Sequence, residues 1–112
     1  MKLLLLFAAC VPTVNAAEWT RATWYGWESV GPMANMQRFD PRKMTCATWF
    51  YPLGSTLRVE ANGRSVHVRV TDRGPAWWVV RKRGVRLDLS QAAFAKLAPL
   101  RHGRIKVKVT RL

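Results

Sequence analysis

In the stretch from Asn62 to Pro75, NGRSVHVRVTDRGP, three valines at every second position constrain the chain more than any other feature. Val66, Val68 and Val70 alternate with Ser65, His67, Arg69 and Thr71, which is the period of a strand with one buried face. Asn62-Gly63 predicts a tight turn where that strand begins, and Gly74-Pro75 stops the pairing where it ends. Asp72 therefore falls where a rigid strand gives way to a loop, a place where a side chain is held by the sheet and still reaches solvent. Two roles are open to it on these residues alone: to cap the turn or pair with Arg73, or to serve as the carboxylate of a site.

Similar short patterns recur along the chain. Glu18 to Tyr25 is rich in β-branched and aromatic residues and reads as a strand ended by Gly26, and Trp27 to Asp40 reads as a loop that packs over the domain through its aromatics. Met44 to Thr48 predicts a short strand, Trp49 to Gly54 a hydrophobic connection, and Ser55 to Glu60 a strand that forms a hairpin with the next across Asn62-Gly63. Ala76 to Val80 is apolar, Arg81 to Gly84 reads as a basic turn, and Val85 to Leu89 is another strand. Ser90 to Leu97 is the one clear helix, with Ser90 as N-cap and Pro99 just beyond its end. Arg104 to Leu112 closes the chain as a strand with Lys106 and Lys108 on its outer face. Short strands with one or two short helices, and no heptads or repeats, predict a mainly β fold: a small six-stranded barrel, closed so that no edge is exposed.

The first residues, MKLLLLFAACVPTVNA, combine one lysine, an apolar run and small residues at a cleavage position, so 1–16 is expected to be a signal peptide and 17–112 a single exported domain. A lipid anchor on Cys10 is the alternative. No run is long and apolar enough to predict a transmembrane segment. Beyond the leader one cysteine remains, Cys46, so no internal disulfide can form; one thiol with two distant histidines, His67 and His102, makes no metal site, and no cofactor is expected. Without Lys2 the domain holds 18 basic against 6 acidic residues, a net charge of +12. On an exported monomer that balance points to anionic envelope polymers, and the leader argues against nucleic acid as the partner.

Four patches in order, Thr23-Trp24-Tyr25-Gly26, Met33-Ala34-Asn35 with Phe39-Asp40, Asp72-Arg73-Gly74-Pro75 and Leu87-Asp88-Leu89-Ser90, resemble the RlpA-like (rare lipoprotein A) family over about residues 21 to 111. The resemblance implies a double-psi β-barrel related in architecture to expansins, placed in the periplasm or cell envelope, binding peptidoglycan glycan strands and, in some members, cleaving denuded strands as a lytic transglycosylase. It places the family's catalytic Asp on Asp72. It departs at two positions, since Met36-Gln37 stands where the family has Gly-Glu and Thr48 where it has His, and neither Gln37 nor Thr48 can exchange a proton near neutral pH.

Among the six acids of the mature chain, Asp72 is the candidate for acid/base work, with Glu28 as a possible second carboxyl and Asp40 and Asp88 read as structural anchors. A lytic transglycosylase can work with one carboxyl, because the sugar's own 6-hydroxyl replaces water. Trp24, Tyr25, Trp27 and Trp49 are candidates for a sugar platform, with core packing as their other role, while Trp77 and Trp78 could rim the groove. Arg73, Arg38 and the Arg81 to Arg83 run could hold wall carboxylates or phosphates. Three readings follow: a lytic transglycosylase with Asp72 as acid/base and Trp24, Tyr25, Glu28, Gln37, Thr48 and Arg73 around the substrate; a non-catalytic expansin-like wall-binding module; or a cationic secreted effector.

Overall fold

A computed structural model describes residues 16–112, so the leader, Cys10 included, lies outside the described residues but for Ala16. Six strands, β1 (Ala17–Tyr25), β2 (Thr45–Ala47), β3 (Thr56–Ala61), β4 (Arg64–Asp72), β5 (Val85–Ser90) and β6 (Ile105–Arg111), close into a barrel in the order β1-β5-β2-β4-β3-β6. The β1/β5 and β2/β4 pairs are parallel and the other four antiparallel. The expected alternation sets the inside: Leu57, Val59, Val68, Val70, Leu87, Leu89, Val107 and Val109 are buried and meet at the axis. The hairpin between β3 and β4 turns through Asn62 and Gly63, both with positive φ (55° and 71°), and the Asn62 amide donates to the Leu97 carbonyl at 2.9 Å.

Two short helices complete the fold. Helix α2 (Gln91–Leu97) buries Ala93, Phe94 and Leu97 against the barrel, and Ser90 caps it as expected, its hydroxyl accepting from the Ala93 N–H at 3.2 Å. Helix α1 (Trp77–Arg83) was not expected: the apolar AWWVV run and the basic turn after it are one helix. None of its seven residues is buried and no side chain caps its start, so it carries no apolar periodicity that a sequence could display. Its C-terminus is held instead by Gly84 at φ 65° and by the Arg21 guanidinium, which donates to the Arg83 carbonyl at 3.1 Å. No helix among the described residues is long and apolar enough to cross a membrane.

Candidate functional site

Strand register brings four residues into one row. Thr23 on β1 pairs with Asp88 on β5, Asp88 with Ala47 on β2, and Ala47 with Asp72 on β4. Ala22, Leu87, Leu89 and Cys46 in the alternate phase belong to the core; within the row Ala47 is buried and Thr23, Asp88 and Asp72 are partly exposed, and a register shift after Cys46 sets Asp72, in place of Thr71, beside Ala47. Two carboxyls thus flank one methyl group, with Cα atoms two strand spacings apart, about 10 Å.

Asp72 ends β4, and its Oδ1 accepts from the backbone N–H of Arg73 at 2.8 Å and of Ala34 at 2.9 Å. The second donor comes from the loop after β1, which Pro32 and Arg38 fold back in an isolated bridge, while buried Met33 and Phe39 pin it down. Asn35 donates its N–H to the Thr71 carbonyl at 3.2 Å, fastening this loop beside Asp72. Asp88 is half-buried. Burial pushes its carboxyl up to about 7; the Thr23 hydroxyl, donating to Oδ1 at 3.1 Å, opposes this, and the charges of Asp72 and Glu28 add to it. Asp88, expected as a structural anchor, ties β5 to β1 through Thr23, and in register it stands across Ala47 from Asp72.

Tyr25 stacks on Phe39 with ring centroids 4.2 Å apart, and its hydroxyl is buried without a hydrogen-bond partner. Burial, then the charges of Asp72, Asp88 and Cys46, raise this phenol far above its ordinary range. Its ring packs on the loop through Phe39 and stays partly exposed. Trp24 is likewise an anchor: the indole N–H donates to the Leu100 carbonyl at 2.9 Å and the ring lies against Phe94.

The remaining expected site residues divide by exposure. Thr48 is 0% exposed, donating to the Arg86 carbonyl at 2.8 Å and accepting from the Phe50 N–H at 3.2 Å, so its hydroxyl is turned inward and braces the wall. Arg73 is committed too, since its Nη1 clamps the Thr48 and Tyr51 carbonyls at 2.9 and 2.7 Å. Glu28 is exposed on a short 3-10 turn and accepts from the Gly26 N–H, which leaves Asp88 as the second carboxyl in register with Asp72. Gln37 is exposed on the loop over Asp72, cross-bonded to Asn35. Asp40 is forked to Arg42 by two 3.0 Å bonds that hold its carboxyl down at about 2. On the far side of Pro75, the Trp49 indole donates to the Pro75 carbonyl at 2.7 Å and stacks on Trp77 at 5.1 Å, the two rings being 39% and 44% exposed. The bond to the Pro75 carbonyl ties this exposed aromatic pair to the turn that follows Asp72.

Asp88 was legible in principle: with Leu87 and Leu89 inward, the period of the strand puts it outward. What hid its role was the closure that lays β5 beside β2.

Comparison with known proteins agrees with this geometry. A family model described as a lytic transglycolase matches residues 18–109. An uncharacterized protein of Synechocystis is 39% identical over 94 residues, covering 81% of this chain and 94% of that protein. The endolytic peptidoglycan transglycosylase RlpA of Neisseria meningitidis is 36% identical over 108 residues, which are 90% of this chain and 43% of that longer protein. Among solved structures, a Streptomyces papain inhibitor superposes with a TM-score of 0.72 at 27% identity, covering 91% of this chain and 99% of that one. A Clavibacter michiganensis expansin in complex with cellohexaose superposes at 0.67 with 21% identity, over 87% of this chain and 50% of that one, and shares the fold. The closed six-stranded barrel, the four sequence patches and the family match together make this chain a member of the RlpA-like lytic transglycosylase family of double-psi β-barrels.

Proposed function

We propose that this protein is an exported lytic transglycosylase that cleaves peptidoglycan glycan strands in the cell envelope. The observation that carries the reading is the cross-strand row in which the partly exposed Asp72 and Asp88 flank Ala47. In the lytic reaction the C1–O glycosidic bond breaks, the leaving oxygen gains a proton, the sugar's own 6-hydroxyl closes on C1, and the hydroxyl proton passes to a carboxylate. One acid could do both transfers in turn, which is how the sequence assigns them to Asp72. The environments favour dividing them. Asp88, held up to about 7, keeps a proton to give, and Asp72, fixed by two N–H donors, accepts the other. The Trp49/Trp77 pair offers a ring face for a neighbouring sugar. Names of relatives and the sugar complex of the expansin support a glycan as the ligand.

Mass spectrometry of soluble products from amidase-treated sacculi tests this. Anhydro-sugar ends are expected, and Asp72→Asn or Asp88→Asn should each lower their rate by about 100-fold or more while the folded variant still binds. Products with ordinary reducing ends would overturn the lytic step. A second reading, a non-catalytic wall-binding module, follows from the resemblance, which puts Gln37 and the buried Thr48 where the family has an acid and an imidazole. Sedimentation with sacculi and no released sugar at any pH would select it.

A further inference from the structure

The wall of the barrel opposite the acidic row carries a second constellation. Strands β1, β6, β3 and β4 are neighbours there, and their register sets Trp19 beside Lys108, Lys108 beside Glu60, and Glu60 beside Ser65. The row faces outward, because Val59, Val66, Val107 and Val109 in the alternate phase are buried. These side chains and the β3–β4 hairpin, including Arg64, line an open groove of about 390 Å³.

Three features of this groove have no use in the fold. Trp19 is 62% exposed, so its ring contributes little to the core and leaves a large apolar face in water. The Lys106 ammonium lies 5.2 Å from that ring, and Lys106 sits directly opposite Arg21 across the β1/β6 ladder, a like-charge pairing that costs stability. Glu60 is the one acid in the row from Trp19 to Ser65, and Arg58 approaches it at 3.8 Å. An uncovered indole flanked by unneutralised cations is suited to a ligand with a flat apolar face and negative charge. Glu60 and Ser65 narrow the class, since both accept hydrogen bonds from sugar hydroxyls, donors that a polyanion without sugars lacks.

We propose that this wall is a second binding site, for a carboxylated polysaccharide that stacks a sugar ring on Trp19 and places its acid groups on Arg64, Lys106 and Lys108. Ser65 lies seven residues from Asp72 along β4, about 23 Å, so the site is separate from the acidic row and stands or falls without it.

The test uses the full chain, with polygalacturonate as the carboxylated probe, dextran as a neutral sugar and inorganic polyphosphate as a polyanion without sugars. Affinity electrophoresis and titration calorimetry should show polygalacturonate bound most tightly, and weakening between about 50 mM and about 300 mM salt. Trp19→Ala should weaken it about tenfold while Trp19→Tyr retains most of the affinity. Joint Lys106→Ala and Lys108→Ala changes should weaken it further, and Asp72→Asn should bind as the unaltered protein does. Circular dichroism checks that each variant is folded. Equal affinity for dextran, polyphosphate binding as tightly with Trp19→Ala inert, or loss confined to Asp72→Asn would each overturn the proposal.

Discussion

A carboxyl that prefers to stay neutral ties stability to pH in a direction opposite to that of most acids. Asp88 titrates at about 7 in the folded chain against an ordinary value of 3.8. Below pH 3.8 both states hold the proton and its contribution is complete; as pH rises toward and through 7 the unfolded chain ionises freely while the folded one must charge a poorly solvated group, and stability is lost. The loss amounts to at most about 4 kcal/mol by linkage. Urea titrations at pH 4 and pH 8 should therefore find Asp88→Asn close to the parent protein at the lower pH and more stable at the higher. Tyr25 makes a related prediction. Its hydroxyl is buried without a partner, so Tyr25→Phe removes a desolvated group and keeps the stack on Phe39. The expected change is a gain of roughly 0–1 kcal/mol in urea unfolding; a loss above that size would mean the hydroxyl is bonded in solution. Asp72 could be found in the sequence because it stands where a strand gives way to a Gly-Pro turn. The inward turn of Thr48 and the commitment of Arg73 to two carbonyls could not, since both depend on strands far apart in the chain.

Among the elements, the loop from Gly31 to Phe39 has a strained point where relatives are expected to carry glycine. Met36 adopts φ 72° and is 89% exposed, so it takes left-handed strain without burying its side chain. Met36→Gly should raise stability by about 0.5 kcal/mol, the relief of strain less the entropy of a freer unfolded chain, measurable by chemical denaturation. Asn62, at φ 55°, needs no such relief because its short polar side chain tolerates that conformation. Strands β3 to β6 were readable since each carries inward Val or Leu at every second place, and α2 since Ser90 and an apolar stripe announce it. Helix α1 was unreadable for a physical reason: it buries none of its residues, and tryptophans and valines in a run say nothing about period.

At the scale of the whole molecule, stability rests on a ring of strands around a small apolar axis, with Cys46 part of it between Val70 and Leu89. Burial pushes that thiol well above its ordinary range, with the charge of Asp88 adding to the effect. Peptide mapping after exposure to a thiol reagent should find Cys46 unmodified in the native protein and fully modified in denaturant, with a labelling rate that follows global opening. The barrel could be anticipated from period and length, whereas its two differently charged walls emerge only when β1 is placed between β5 and β6. The closed ring has one more effect. Every strand already has two neighbours, so no visiting chain can dock by extending the sheet, and whatever this protein grips must be recognised through side chains alone. Its choice of polymer can then be rewritten by surface substitutions while the hydrogen-bonded frame stays as it is.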